Sequence, residues 1–340
     1  MNRENYAAAK KLIAASKRIL VSGHLSPDGD SLGSMLALAR LLRNAGYEAY
    51  ATADLNALGK PGFLEGVKDL IPVRKLKRQK RFDLFIAVDC ASFERMPPEV
   101  RPVAEKLPKI CIDHHVTNDG SFADVSIVDS KASSTGEIIW RIARWNEWNL
   151  DTAIAEALWV AIVTDSGRFA YDSTNPGTMR AAGDLLKHGV RTALINDILY
   201  GTFPKKAIEL KRIAWRSLHI WKNRKVAEVT LTRDDFREVR GTKADAEDII
   251  EIPRSVARNE IALFFYQIPD RTKETRCSIR TRGNWDATVL AGKFGGGGHV
   301  KAAGCTIKAS MGAAKRQMRA AVRELLKSVN RKTAKIALSD

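Results

Sequence analysis

Short apolar runs alternate with helical patterns over the first 190 or so residues of the chain. "RILVSG" (18–23), "FDLFIAVDC" (82–90) and "KICIDHH" (109–115) are apolar runs ending in polar residues, which predicts buried strands. Between them, "SLGSMLALARLLRNAG" (31–46) has leucines at helical spacing, Asp30 or Ser31 as a cap and Gly46 as a stop. "SSTGEIIWRIARWNEWN" (133–149) and "DTAIAEALWVAIVTDSG" (151–167) predict two more helices, and "NPGTMRAAGDLLKHG" (175–189) a third that closes the domain. Such alternation predicts an α/β domain with a parallel sheet and helices on both faces. Ligands of these sheets bind beyond the carboxyl ends of the strands. "HLSPDGD", "VDC" and "DHH", distant in sequence, are therefore expected on one rim.

A mixed helical stretch over 191–222 is expected to link this domain (1–190) to a smaller α/β domain over 223–330. There "KVAEVTLTRDDF", "EIALFFYQIPD" and "ETRCSIRTRG" alternate like strands, and "DATVLAGKFGGGGHVKAAGCTI" adds a helix, a glycine run and a strand. A basic helix (311–329) and a basic tail (331–340) end the chain. "RKLKRQKR" (74–81) reads as a solvated loop, with a nucleic-acid contact as the alternative.

A length of 340 residues suits two domains, and 45% hydrophobic with 28% charged residues excludes a disordered chain. The net charge of +17 favours a polyanionic partner such as nucleic acid, nucleotides or polyphosphate, although a generally basic proteome gives the same sign. Cys90, Cys111, Cys277 and Cys305 form no CxxC pair, which excludes zinc-finger and thioredoxin-like readings and suits a reduced, cytoplasmic chain. The N-terminal stretch predicts an amphipathic helix and a strand, not a signal peptide, and no apolar run approaches a membrane span.

His24, Asp28, Asp30, Asp89, Asp113, His114, His115 and Asp165 all fall at predicted strand ends or at the end of an apolar helix. Singly, each has a plainer explanation: Asp28-Gly29-Asp30 as turn and N-cap, Asp89 and Asp165 as caps, a lone histidine as structural. Gathered on one rim, so many carboxylates would raise one another's pKa values unless cations neutralise them. Mixed carboxylate–imidazole ligation suits Mn²⁺ or similar ions better than a thiolate-bound zinc. Two such ions can activate water and clamp the oxygens of a phosphoryl group.

"GHLSPDGDSLGS", "VDCAS", "IDHHVTN" and "TDSGRF" resemble, in order, the four motifs of the DHH phosphoesterase family, and "SIRTRG" with "FGGGGHVKAAG" resembles its DHHA1 domain. The arrangement is most similar to the nanoRNase/pAp-phosphatase branch. The resemblance implies one Mn²⁺ (Mg²⁺ or Co²⁺ as substitutes) on His24, Asp28 and Asp89, and a second on Asp30, Asp89, His114 and Asp165, with Asp89 bridging. It further implies that Asp113 orients a ligating histidine and that His115 contacts the scissile phosphate and protonates the leaving oxygen. Arg280, Gly296, Gly297, Gly298 and His299 are implied to hold the terminal phosphate and nucleotide across a cleft between the domains. A flexible hairpin is the plainer reading of the glycines, and a surface strand position that of Arg280. One departure stands out: relatives commonly place an arginine after the phenylalanine of the fourth motif, where this chain has Ala170, with Arg168 earlier. If the usual arginine touches substrate, that contact is either lost in this chain or supplied by Arg168 from another angle.

The expected activity is hydrolysis of two- to five-nucleotide RNA together with pAp phosphatase activity, with short single-stranded RNA as partner, no membrane, and a homodimer implied by the family. Alternatives are a linear dinucleotide phosphodiesterase, an exopolyphosphatase or pyrophosphatase, and a non-catalytic nucleic-acid binder.

Overall fold

The computed structural model describes residues 3–79, 81–267 and 274–336, the side chains of 247, 299 and 328–336 excepted. The chain divides into two units, Met1–Thr202 and Phe203–Asp340.

The first unit contains strands β1 (Arg18–Ser22), β2 (Glu48–Ala53), β3 (Ile71–Pro72), β4 (Leu84–Val88), β5 (Lys109–Asp113) and β6 (Val125–Val128). Its helices are α1 (Arg3–Ala14), α2 (Gly29–Asn44), α3 (Arg101–Ala104), α4 (Thr135–Trp145), α5 (Thr152–Asp165), α6 (Pro176–Leu186) and α7 (Thr192–Asn196). The strands form one parallel sheet in the order β3-β2-β1-β4-β5-β6. From β1 the chain winds outward through β2 and β3, then returns to β1's other side as β4. The winding reverses between β1 and β4, and the crevice beyond their carboxyl ends is where such a sheet binds ligands. His24 and Asp28 follow β1, and Asp89 follows β4 directly.

The long helices α2, α4 and α5 bury one sheet face, while α3 and short 3₁₀ turns cover the other around Leu20, Phe85, Met96 and Val100. Helix α5 is buried nearly all round, which explains its lack of a polar stripe. Two glycines allow its close packing: a Cβ on Gly33 would lie 2.3 Å from the Ala157 carbonyl oxygen, and one on Gly136 2.4 Å from the Ala161 Cβ. The stretch read as a solvated basic loop instead forms a 3₁₀ turn over Val73–Arg78 that buries Leu76, while Lys80 lies outside the described residues.

The second unit has helices α8 (Lys205–Arg216), α9 (Arg233–Glu238), α10 (Glu251–Arg254), α11 (Ala287–Gly292) and α12 (Met311–Ile336). Its strands are β7 (His219–Trp221), β8 (Val226–Leu231), β9 (Ile261–Tyr266), β10 (Thr275–Thr281), β11 (Gly297–His299) and β12 (Ala302–Ile307). They form a mixed sheet in the order β11-β12-β10-β9-β8-β7, with only β8 and β9 parallel. The expected linker 191–222 is divided between the two cores rather than standing apart. Ile195 and Leu199 pack in the first, Leu210 and Ala214 in the second. The expected tail is partly helical, since α12 runs to Ile336; residues 337–340 lie outside the described residues. No helix among the described residues is long and apolar enough to cross a membrane.

Candidate metal centre

Each acidic or histidine side chain of the rim is delivered by the end of an element. Asp28 is the N-cap of α2 and accepts a hydrogen bond from the Ser31 amide at 3.1 Å, so the turn and cap expected here are present. One residue into the helix, Asp30 turns inward. Asp113 ends β5, His114 and His115 follow it, and Asp165 is the last residue of α5. A carboxylate at a helix C-terminus faces the negative end of the helix dipole, so the position of Asp165 disfavours a bare negative charge.

Three groups of potential ligand atoms lie within 4.8 Å of one another: His24, Asp28 and Asp89; Asp30, His114 and Asp165; and Asp89, His114 and His115. Asp89 stands between the first two, with one oxygen 3.5 Å from His24 Nε2 and the other 3.7 Å from His114 Nε2. His114 Nε2 also lies 3.7 Å from Asp30 and 3.2 Å from Asp165. Asp89 adopts a left-handed backbone conformation, φ 52°, at the point where β4 stops. Aspartate is among the few residues with a side chain that tolerate this region.

The electrostatics of the cluster call for cations. Burial, reinforced by Asp89, Asp165 and Asp28, raises the Asp30 carboxyl well above its ordinary range. Burial and the neighbouring carboxylates Asp28 and Asp89 do the same to Asp165. Against a desolvation that would lower it, hydrogen bonds to Asp28 and Asp89 push His24 up to about 10. The crowded, buried carboxylates thus disfavour their charged forms, and divalent ions bound among them would favour those forms again. All-oxygen and imidazole donors with no thiolate fit hard to intermediate divalent ions.

Several residues that the sequence did not single out hold these groups in place. The first amides of α4 grip Asp30: Thr135 N donates at 2.7 Å and Gly136 N at 2.9 Å, while the Ser34 hydroxyl donates at 3.1 Å. The Thr135 hydroxyl reaches Asp89 at 3.3 Å. Fully buried Glu137 organises that helix end, accepting from Ser133 N at 3.0 Å, the Ser133 hydroxyl at 2.8 Å, the Thr178 hydroxyl at 2.9 Å and Arg141 at 2.6 Å. A signal existed in "STGE", which has the Ser-x-x-Glu form of a capping box, and Ser134 does accept from Glu137 N at 3.1 Å. Asp113 ties the histidines down: it accepts from His114 N at 2.8 Å, lies 2.7 Å from His115 Nδ1, and receives the Asn118 amide at 2.6 Å. Although burial opposes it, contact with His115 and Asn118 lowers the Asp113 carboxyl below its ordinary value.

The remaining expected residues have surroundings of their own. Arg168, at φ 62°, is exposed and stacks its guanidinium 4.9 Å over the Tyr200 ring; it makes no ion pair among the described residues. In the second unit, the register sets Arg280 and His299 on either side of Ala302, and the His299 side chain lies outside the described residues. Gly296 and Gly298 have a packing reason of their own. A Cβ would come within 2.2 Å of the Gly304 carbonyl oxygen at the first and 2.4 Å of the Ala302 carbonyl oxygen at the second, whereas Gly297 is open. A hollow of about 280 Å³ adjoins the cluster, lined by His24, Leu25, Ser26, Glu94 and Arg95. A larger one, about 330 Å³, lies between the end of α4 and the start of α5, around Arg144, Trp148 and His188, and contains none of the cluster.

Comparison with known proteins agrees with this geometry. Residues 18–162 match the N-terminal domain of the DHH family and residues 234–332 match the DHHA1 domain. The bifunctional oligoribonuclease and PAP phosphatase NrnA of Thermus thermophilus is 32% identical over 312 residues, covering 88% of this chain and 87% of that protein. Its Bacillus subtilis namesake is 27% identical over 304 residues, covering 87% and 91%. The crystal structure of an exopolyphosphatase-related protein from Bacteroides fragilis has the same fold, with a TM-score of 0.88 at 23% identity over 95% of this chain and 96% of that one.

Proposed function

This chain belongs to the DHH family of metal-dependent phosphoesterases, and on that premise we propose that it hydrolyses very short oligoribonucleotides to mononucleotides and converts pAp to AMP. The observation that carries the reading is Asp89, whose two oxygens face two separate sets of ligands, His24 with Asp28 and His114 with Asp30 and Asp165. A shared carboxylate between two such sets fits a pair of divalent ions, Mn²⁺ being the natural choice for these donors. When bound, the ions supply positive charge to the phosphoryl oxygens and an activated water.

The chain's own groups do the rest. Asp113 fixes His115 through Nδ1, so the opposite ring nitrogen is the one positioned to donate a proton to the leaving oxygen. The amides of Thr135 and Gly136 hold Asp30 in one orientation as a ligand. Arg280, Gly296, Gly297, Gly298 and His299 are assigned to the terminal phosphate and its nucleotide, Arg280 because a guanidinium can grip phosphate bidentately. Arg168, exposed with its guanidinium over the Tyr200 ring, is assigned the further substrate contact of the fourth motif. Four free, buried cysteines suit the reducing cytoplasm in which such a substrate arises.

The test is a turnover panel with Mn²⁺: labelled RNA from dimer to long oligomer, pAp, pyrophosphate and polyphosphate, for wild type and Asp89→Ala. Fastest turnover of dimers to pentamers and of pAp, abolished in Asp89→Ala, is expected. Preference for pyrophosphate or long polyphosphate would sink the substrate assignment, and Asp89→Ala behaving as wild type would sink the metal centre.

A further inference from the structure

The hollow beside His24 has a composition the metal centre does not require. Leu25 follows a proposed ligand directly and is 47% exposed, so its apolar side chain is open to the hollow. Its amide donates to the Arg95 carbonyl at 2.8 Å, which joins the loop after β1 to the turn Phe93–Arg95 after β4. The opposite wall is Glu94 and Arg95. The Arg95 side chain makes no hydrogen bond or ion pair among the described residues, although the rim beside it is crowded with carboxylates. It is near enough to His115 for its charge to act there. All five lining residues belong to the first unit, so the hollow does not depend on the second.

An exposed apolar face, a planar cation and a carboxylate around about 280 Å³ match the chemistry of one nucleobase. Leu25 offers an apolar surface, Arg95 a guanidinium plane for stacking, and Glu94 an acceptor for amino or ring N–H groups. The volume lies just under the usual range of small-molecule pockets, which suits one base and no longer strand.

The proposed activities give such a base a place. In pAp, the phosphorus to be attacked carries one nucleoside, through its 3′ oxygen. In a dinucleotide the equivalent phosphorus carries the same 3′ ester and a second nucleoside on a 5′ oxygen. One site serving both must therefore hold a group in the diester that the monoester lacks. We propose that this hollow is the subsite for that second nucleoside, and that Arg95 sets the preference for short RNA over pAp. The assignment rests on the function proposed above.

Steady-state kinetics of wild type, Arg95→Ala and Leu25→Ala on a diribonucleotide and on pAp, both with Mn²⁺, decide it. In Arg95→Ala the ratio of kcat/KM for dinucleotide over pAp should fall about 5- to 100-fold, the range for one stacked base, mainly through KM. Leu25→Ala should move it the same way by less. Arg95→Lys should not restore it, since an ammonium offers no plane. An unchanged ratio in an active enzyme overturns the subsite and leaves the proposed function standing. An equal fall on both substrates also overturns it, placing Arg95 on the shared phosphate. Wild type inactive on both substrates would remove the function and the subsite together.

Discussion

Removing the Glu137 carboxylate should loosen the centre from a distance. This side chain is fully buried and touches none of the proposed ligands, yet it holds the start of α4, whose first two amides grip Asp30. Glu137→Ala strips partners from Ser133 N, the Ser133 hydroxyl, the Thr178 hydroxyl and one arm of Arg141, which keeps Asp129 at 2.6 Å. Breaking a buried pair from one side costs about 3–5 kcal/mol, and the three stranded donors place this case at the upper end. Glu137→Gln preserves the shape but sets an amide N–H against Arg141 if its oxygen keeps the serine and threonine; about 1–3 kcal/mol is expected for the lost charged hydrogen bond. Urea unfolding gives the stability change, and calorimetric titration with Mn²⁺ gives the ion affinity, which should weaken about 10- to 100-fold as for other outer-shell partners. A Glu137→Ala protein within about 1 kcal/mol of wild type that binds Mn²⁺ equally well would refute the coupling.

Asn118→Ala removes the 2.6 Å bond to Asp113, and should reduce turnover about 10- to 100-fold while leaving the far-UV circular dichroism unchanged. Gly33→Ala drives a methyl group to 2.3 Å from the Ala157 carbonyl oxygen, where backbone cannot yield as a side chain would; thermal unfolding should report a loss of about 1–3 kcal/mol. Glu228 is fully buried and, against desolvation, Arg319 and Lys315 lower its pKa, so its stabilisation is present above the ordinary glutamate range and disappears as pH falls through the folded value. Melting temperatures from pH 7 down to 3 should accordingly show wild type and Glu228→Gln converging toward the acid end.

What could be read from the chain depended on how strongly each residue announced its surroundings. The buried strands β1, β4 and β5 and the helices α2 and α5 were legible because apolar runs of their length have few other uses. By contrast, β2 (EAYATA) and β6 (VSIV) carry mixed or brief patterns, and β3 has only two residues, so sheet pairing rather than local sequence makes them strands. At the centre, the acids and histidines stood out through chemistry repeated at four strand or helix ends. Thr135 and Gly136 did not, because both grip Asp30 through backbone amides, and Asn118, although it ends the quoted motif "IDHHVTN", showed no role until the fold set its amide against Asp113. The fate of Arg168 was equally hidden: only the fold brings Tyr200 beneath it.

The left-handed backbone at Asp89 makes one residue answer to two selections at once. Holding a side chain in that conformation costs on the order of 1 kcal/mol, and a glycine there would relax the strand end while removing the proposed ligand. Tolerance to substitution at this position should therefore run in opposite directions for folding and for turnover. A library screened for thermal resistance alone would enrich glycine and asparagine at residue 89, and so would discard the proposed metal bridge while improving the scaffold around it. Any engineering of this fold for robustness has to hold that position fixed, because stability offers no warning that it has been lost.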